Sequence, residues 1–195
     1  SIGYAFQLPQ CSISSNPYGG ATGTYGLFNC VAIKYSAISV VVWFYEPPNG
    51  QGGILSFQSS PYPQSTGTGN FLWVAGNDYL YGGYSAITSG QTLSPGWHMA
   101  VIENWASSTS GPFYENLYLD GNLVANTTLS SPTPTFGSSG PYPYNYIGTS
   151  FGNYPDPYTG WLFFNGTIAY VAIYNTVLNS TQVQELYQAG FPNTL

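Results

Sequence analysis

Charge is what this sequence has least of. Charged residues make up 4% of the chain, Lys34 is the sole base, arginine is absent, and seven acids leave a net charge of −6. Without Lys and Arg nothing is available to neutralise phosphates, which excludes nucleic acid as a partner and argues equally against anionic membrane surfaces. No apolar run approaches the ~18 residues that cross a bilayer as a helix, so membrane insertion by that route is excluded too. His98 is the only histidine. With no His pair, no closely spaced Cys pair and no His-Glu helix motif, the usual catalytic metal sites are missing. Nor is there a strained Gly-x-Ser-x-Gly turn to present a nucleophile. Cysteine is scarce as well, and the two present, Cys11 and Cys30, are expected to form one disulfide in an oxidising compartment. Closing that loop contributes about 3 kcal/mol in the chain-entropy picture.

What is abundant is uncharged: 19 Tyr, 11 Phe, 5 Trp, 24 Gly and 15 Pro in 195 residues. Such a surface is made polar by hydroxyls, amides and glycans, and three N-glycosylation sequons begin at Asn126, Asn165 and Asn179. No signal-peptide pattern is present, so the sequence reads as a mature protein, secreted or exposed on a cell or virion surface. With so few carboxylates and almost nothing to pair them, little is lost when they are neutralised. An acidic, hot, extracellular habitat is the expectation.

The length suits one all-β domain with a sizeable core. Ser36 to Tyr45 is the strongest strand, nearly continuously apolar and therefore expected at a sheet centre, covered on both faces. Further short strands are expected over 53–58 and 71–74. A Pro-Gly turn precedes an alternating strand in which Trp97, Met99 and Val101 share a face. Asp120-Gly121 is a hairpin tip. Long Pro-, Ser- and Tyr-rich loops follow over 130–145 and 151–160. Thr167 to Tyr174 reads as the last strand. Asn179 then reads as an N-cap with Gln182 as its capping-box partner, Leu178 and Val183 as a hydrophobic staple, and Gly190 as the helix stop in the left-handed conformation.

The ordered set Phe164, Gly166, Ile168, Val171, Ile173, Tyr174, Asn175, Leu178, Leu186, Tyr187 and Gly190 resembles the C-terminal signature of laminin-G-like domains of the concanavalin A-like superfamily. The strand ending at Trp43, the turn-Trp97-His98 strand, the Leu-Tyr-x-Asp-Gly hairpin and Ile147-Gly148 are similar to further landmarks of that family. The resemblance covers about 35–190. It implies a two-sheet antiparallel jelly-roll sandwich with one short C-terminal helix: a laminin-G-like roll over 35–195, with residues 1–34, where no landmark is found, as an arm or edge strands packed on the same domain.

Glycoside hydrolases on this sandwich need two carboxylates facing one sugar bond. Here Glu46, Asp78, Glu103, Glu115, Asp120, Asp156 and Glu185 are dispersed, and Asp120 is committed to its turn. His98 has a structural reading beside Trp97. No cofactor is required. The resemblance raises calcium at a loop rim, with Asp78 and Asp156 as candidate ligands beside the competing reading of simple turn chemistry. Aromatic rings in Pro-rich loops, at Tyr62, Tyr142, Tyr144, Tyr154 and Tyr158, suit the CH faces of sugars, and equally suit loop anchoring or a subunit interface. Two functions follow. One is a non-catalytic, lectin-like recognition or adhesion module for glycans or a surface partner. The other is a structural subunit of an extracellular assembly, a surface filament or virion coat, a homo-oligomer joined by N-terminal strand addition.

Overall fold

The computed structural model describes residues 13–15, 26–28, 37–58, 70–83, 86–108, 111–130, 144–152 and 160–190. In chain order the elements are β1 (Ile13–Ser15), β2 (Gly26–Phe28), β3 (Ala37–Glu46), β4 (Gly52–Gln58), β5 (Asn70–Val74), β6 (Tyr79–Gly82), β7 (Ile87–Thr92) and β8 (Gly96–Ala106). There follow β9 (Phe113–Leu119), β10 (Asn122–Leu129), β11 (Tyr144–Ile147), β12 (Thr149–Gly152), β13 (Gly160–Phe163), β14 (Thr167–Tyr174) and a single helix, α1 (Ser180–Ala189).

Two sheets form the sandwich. The larger has the order β1-β2-β11-β4-β5-β6-β7, and β13 joins β4 in parallel where Phe163 meets Gly53 and pairs β12 on its other side. The smaller has the order β10-β9-β8-β3-β14 and is antiparallel throughout. This is the two-sheet jelly-roll sandwich expected. The described parts of the first 34 residues, β1 and β2, are strands at the edge of the larger sheet, paired through β2 to β11.

Alternation along β3 explains the layers. Its even residues, Val40, Val42 and Phe44, face the larger sheet and pack in one core with Ile54, Leu72 and Leu80. Its odd residues, Val41 and Trp43, face the other way into a second core with Met99, Val101, Leu178 and Val183, because α1 lies over that outer face. β3 is therefore covered on both sides, which is why its sequence lacks a polar face.

Local rules place the helix. Asn179 accepts from the Gln182 backbone N–H, and the Gln182 side chain accepts from the Asn179 N–H, each at 2.9 Å. Leu178 and Val183 are both buried in the second core as a staple. Gly190 ends the helix at φ 73° but ψ −175°, extended in ψ rather than left-handed, with its N–H bonded to Tyr187 O at 3.0 Å. The hairpin tip is as read: Asp120 and Gly121 both have positive φ, 50° and 82°, which a two-residue turn of this hand needs. The landmark pair Ile147-Gly148 is a strand end and a corner: Ile147 ends β11, and Gly148, at φ 86°, turns the chain into β12. Glycine supplies that corner at no steric cost.

Candidate functional site

Hydrolysis of a sugar bond needs carboxylates on an accessible face. Three of the described acids are instead inside. Glu103 (0% exposed) accepts from Asn116 Nδ2 at 3.0 Å, Glu115 (0%) accepts from Asn104 Nδ2 at 3.0 Å, and Glu46 (2%) ends β3 on the core side. They lie on different faces, Glu103 under α1 and Glu115 toward the larger sheet. Asp120 is held in its turn, with Oδ1 accepting from the Met99 N–H at 2.9 Å and Oδ2 bonded to His98 Nδ1 at 2.8 Å. Asp78 sits in the β5–β6 turn at φ 59°, its N–H donating to Ala75 O and its carbonyl accepting from the Leu93 N–H. Glu185 is exposed on α1.

One end of the sandwich gathers four of the seven described acid and histidine side chains. Glu46 closes β3, His98 opens β8 on the same inward side, Asp120 follows β9, and Asp78 approaches from the neighbouring turn. Burial pushes the Glu46 carboxyl up to about 7, helped by the negative Asp78 and opposed by His98. Neither Glu46 oxygen has a hydrogen-bond partner. His98 is pulled down by burial, yet its bonds to Asp120 Oδ2 and to Ser94 O, at 2.7 Å, leave it raised overall. Both ring nitrogens of His98 are thus engaged within the fold. Among the described residues no three His, Cys, Asp or Glu side chains come together as a metal-binding set.

Above that buried end, on the outer face of the smaller sheet, lies an aromatic row. Thr167 of β14 pairs with Tyr45 of β3, and Tyr45 pairs with Trp97 of β8, so the three side chains stand side by side. The rings meet edge to face with centroids 5.7 Å apart. Trp97 is 48% exposed and Tyr45 37%, and with Leu123 they are the large apolar side chains most open to solvent among the described residues. Trp97 shares its face with Met99 and Val101 as read from the sequence. That face is the outer one, and α1 shelters Met99 and Val101 while Trp97 stays open to solvent.

Of the candidate loop tyrosines, Tyr144 is half-buried at the start of β11, opposite Gln58. Tyr62, Tyr142, Tyr154 and Tyr158 lie outside the described residues, as do Cys11, Cys30 and Asp156. The sequon residues Asn126, Asn165 and Asn179 are all exposed. Asn165 and Asn179 use only their Oδ1 atoms, toward Gln51 N and Gln182 N, which leaves the amide nitrogen that carries a glycan outside those bonds.

A laminin-G-type family model, described as the concanavalin A-like lectin/glucanases superfamily, matches residues 19–184. The chain belongs to that family. The match starts within the first 34 residues, where no landmark was legible. Among proteins with curated descriptions none matches the chain. Solved structures similar to this laminin-G-type domain include a Trypanosoma rangeli sialidase in complex with 2,3-difluorosialic acid (16% identity, TM-score 0.55), which the match covers over 27% of its length and 85% of this chain. The binding domain of botulinum neurotoxin DC in complex with SialylT matches at 12% identity and TM-score 0.55, over 91% of this chain and 44% of that one. A candidate carbohydrate-binding protein of Bacteroides ovatus matches at 15% identity and TM-score 0.55, over 90% and 45%. The chain thus spans about a quarter of the sialidase and under half of the other two. At these identities the likeness is one of fold, shared by an enzyme and by binding proteins alike. No helix among the described residues is long and apolar enough to cross a membrane.

Proposed function

We propose that this domain recognises neutral glycans without cleaving them, through the Thr167–Tyr45–Trp97 row. The observation that carries the reading is the exposure of two large rings, side by side and flanked by a hydroxyl, on a sheet face that the helix covers only in part. Indole and phenol rings present flat apolar faces to sugar CH groups, while the phenol and threonine hydroxyls can bond to sugar hydroxyls. Neutrality follows from charge. An acidic sugar wants a cation, and the chain offers Lys34 and a buried His98. Sequestered carboxylates at Glu46, Glu103 and Glu115 favour binding over hydrolysis. Two structures of like fold, a toxin binding domain in complex with SialylT and a candidate carbohydrate-binding protein, support a glycan as the class of ligand.

An array of neutral and acidic glycans tests this. Binding to neutral glycans is expected for the full chain, weakened at least tenfold by Trp97→Ala and little changed by Tyr144→Ala. A blank array contradicts the reading. Loss through Tyr144→Ala with Trp97→Ala silent moves the site to the loop tyrosines Tyr62, Tyr142, Tyr144, Tyr154 and Tyr158. The row Thr167–Tyr45–Trp97 brings no carboxylate, so chelation is expected to leave retention on the array unchanged; loss on chelation points instead to an ion at Asp78 or Asp156.

A further inference from the structure

A second pair of rings stands on the outer face of the smaller sheet, at the far end of β8 from Trp97. Trp105 of β8 pairs with Tyr114 of β9, and Tyr114 pairs with Thr128 of β10, so the three side chains form one row across the sheet. Trp97 lies about 26 Å back along the same strand, with Met99 and Val101 sheltered between. The two ring pairs are separate surfaces.

The rings of Trp105 and Tyr114 are stacked, with centroids 5.1 Å apart and planes 20° from parallel. That separation is close to the spacing of neighbouring strands, about 4.8 Å, so the rings stand upright from the sheet and the line between them runs across it from β8 to β9. One face of the phenol is therefore taken by the indole. Its other face is turned toward β10, where the residue opposite is Thr128, exposed and too short to cover a ring. Tyr114 is correspondingly only half-buried.

Beside this open face lies Asn126. It pairs with Asn116 of β9, and the Asn116 amide, bonded to Glu103 at 3.0 Å under α1, marks that side as the outer one. Alternation along β10 puts Asn126 and Thr128 on the same side, both exposed, with Thr127 between them turned inward and partly buried. Asn126 and Tyr114 are thus diagonal neighbours, about 7–8 Å apart across the antiparallel pair, and a ring of sugar size bonded to the Asn126 amide spans that gap. Asn126-Thr127-Thr128 is itself a glycosylation sequon. Attachment point and aromatic face therefore meet in one place.

We propose that Asn126 carries an N-linked sugar whose first ring lies on the free face of Tyr114, as the third layer of a stack that Trp105 backs. Attachment forms a bond from Asn126 Nδ2 to the anomeric carbon of a diphosphate-activated sugar; the diphosphate leaves that carbon with its bonding pair, and one amide proton is released. The CH face of the sugar gains the aromatic contact while its hydroxyls stay in water. Held in this way, the glycan covers β10, the last strand of the smaller sheet, whose outer edge pairs with no strand among the described residues and would otherwise invite pairing with another chain.

The test uses the full chain made in a eukaryotic host that modifies Asn-x-Thr sequons, trimmed by endoglycosidase to one N-acetylglucosamine per occupied site. Peptide mapping is expected to find that sugar on Asn126. The trimmed chain is expected to melt about 2–4 °C above Asn126→Gln prepared in the same way, and the difference to vanish when both also carry Tyr114→Ala. In the unsubstituted chain, nuclear Overhauser contacts are expected between the CH protons of the sugar and the Tyr114 ring, with the sugar protons displaced upfield. A bare Asn126, equal melting of the trimmed chain and Asn126→Gln, or a gain that persists in full beside Tyr114→Ala overturns the proposal. Should Tyr114→Ala fail to fold, the Overhauser contacts decide in its place, and their absence is the contrary result.

Discussion

Single side chains carry most of the chemistry argued above, and they differ in what the sequence could tell of them. Asp120 serves three ends at once: the turn, the Met99 amide and the His98 ring. Replacing it by Ala leaves a buried N–H donor and a ring nitrogen without partners, at about 2–3 kcal/mol together. Chemical denaturation should show that loss, and the ring's NMR titration should shift to lower pH. Asp-Gly at a hairpin tip was legible because turn chemistry is local; the His98 bond was not, because it joins two turns through the fold. Trp97 was legible in part: periodicity gave its face correctly, while its exposure depends on where α1 lies over the sheet. The buried acids were legible only as scattered letters, since nothing along the chain says that Glu46 lies under Gly50 or that Glu103 opposes Ser39.

At the scale of elements, α1 is the piece whose position matters for the proposed surface, because it divides the outer face into sheltered and exposed parts. Its start was readable in detail, Asn179, Gln182, Leu178 and Val183 all acting within a few residues of one another. Asn179→Ala should cost about 1 kcal/mol, visible as reduced amide protection in the first helical turn with the sheets unaffected. The close approach of β12 to β4 was not readable, because it depends on Gly53 having no side chain where Ser150 packs. Gly53→Ala forces Ser150 and its backbone outward, and a loss of several kcal/mol, or insoluble protein, is the expected result of that change. The same glycine looked in sequence like any other at a strand start.

For the molecule as a whole, low charge and buried acids point the same way. Few ions mean little to lose on acidification, and Glu46, raised to about 7, adds stability on the order of 3 kcal/mol on the acid side that is gone by about pH 8. Sandwich class, the final strand and the start of the helix after it were open to the sequence because periodicity and caps are short-range. Which face meets a ligand was not, because that is decided by what the layers leave uncovered. The central claim is that the uncovered rings bind sugar. Calorimetric titration at pH 5 with the neutral oligosaccharide best retained on the array tests it most directly, using the full chain and Trp97→Ala. Saturable binding that weakens at least tenfold in the variant, with stability changed by no more than about 0.5 kcal/mol, is the predicted result; equal affinity of the two proteins contradicts it.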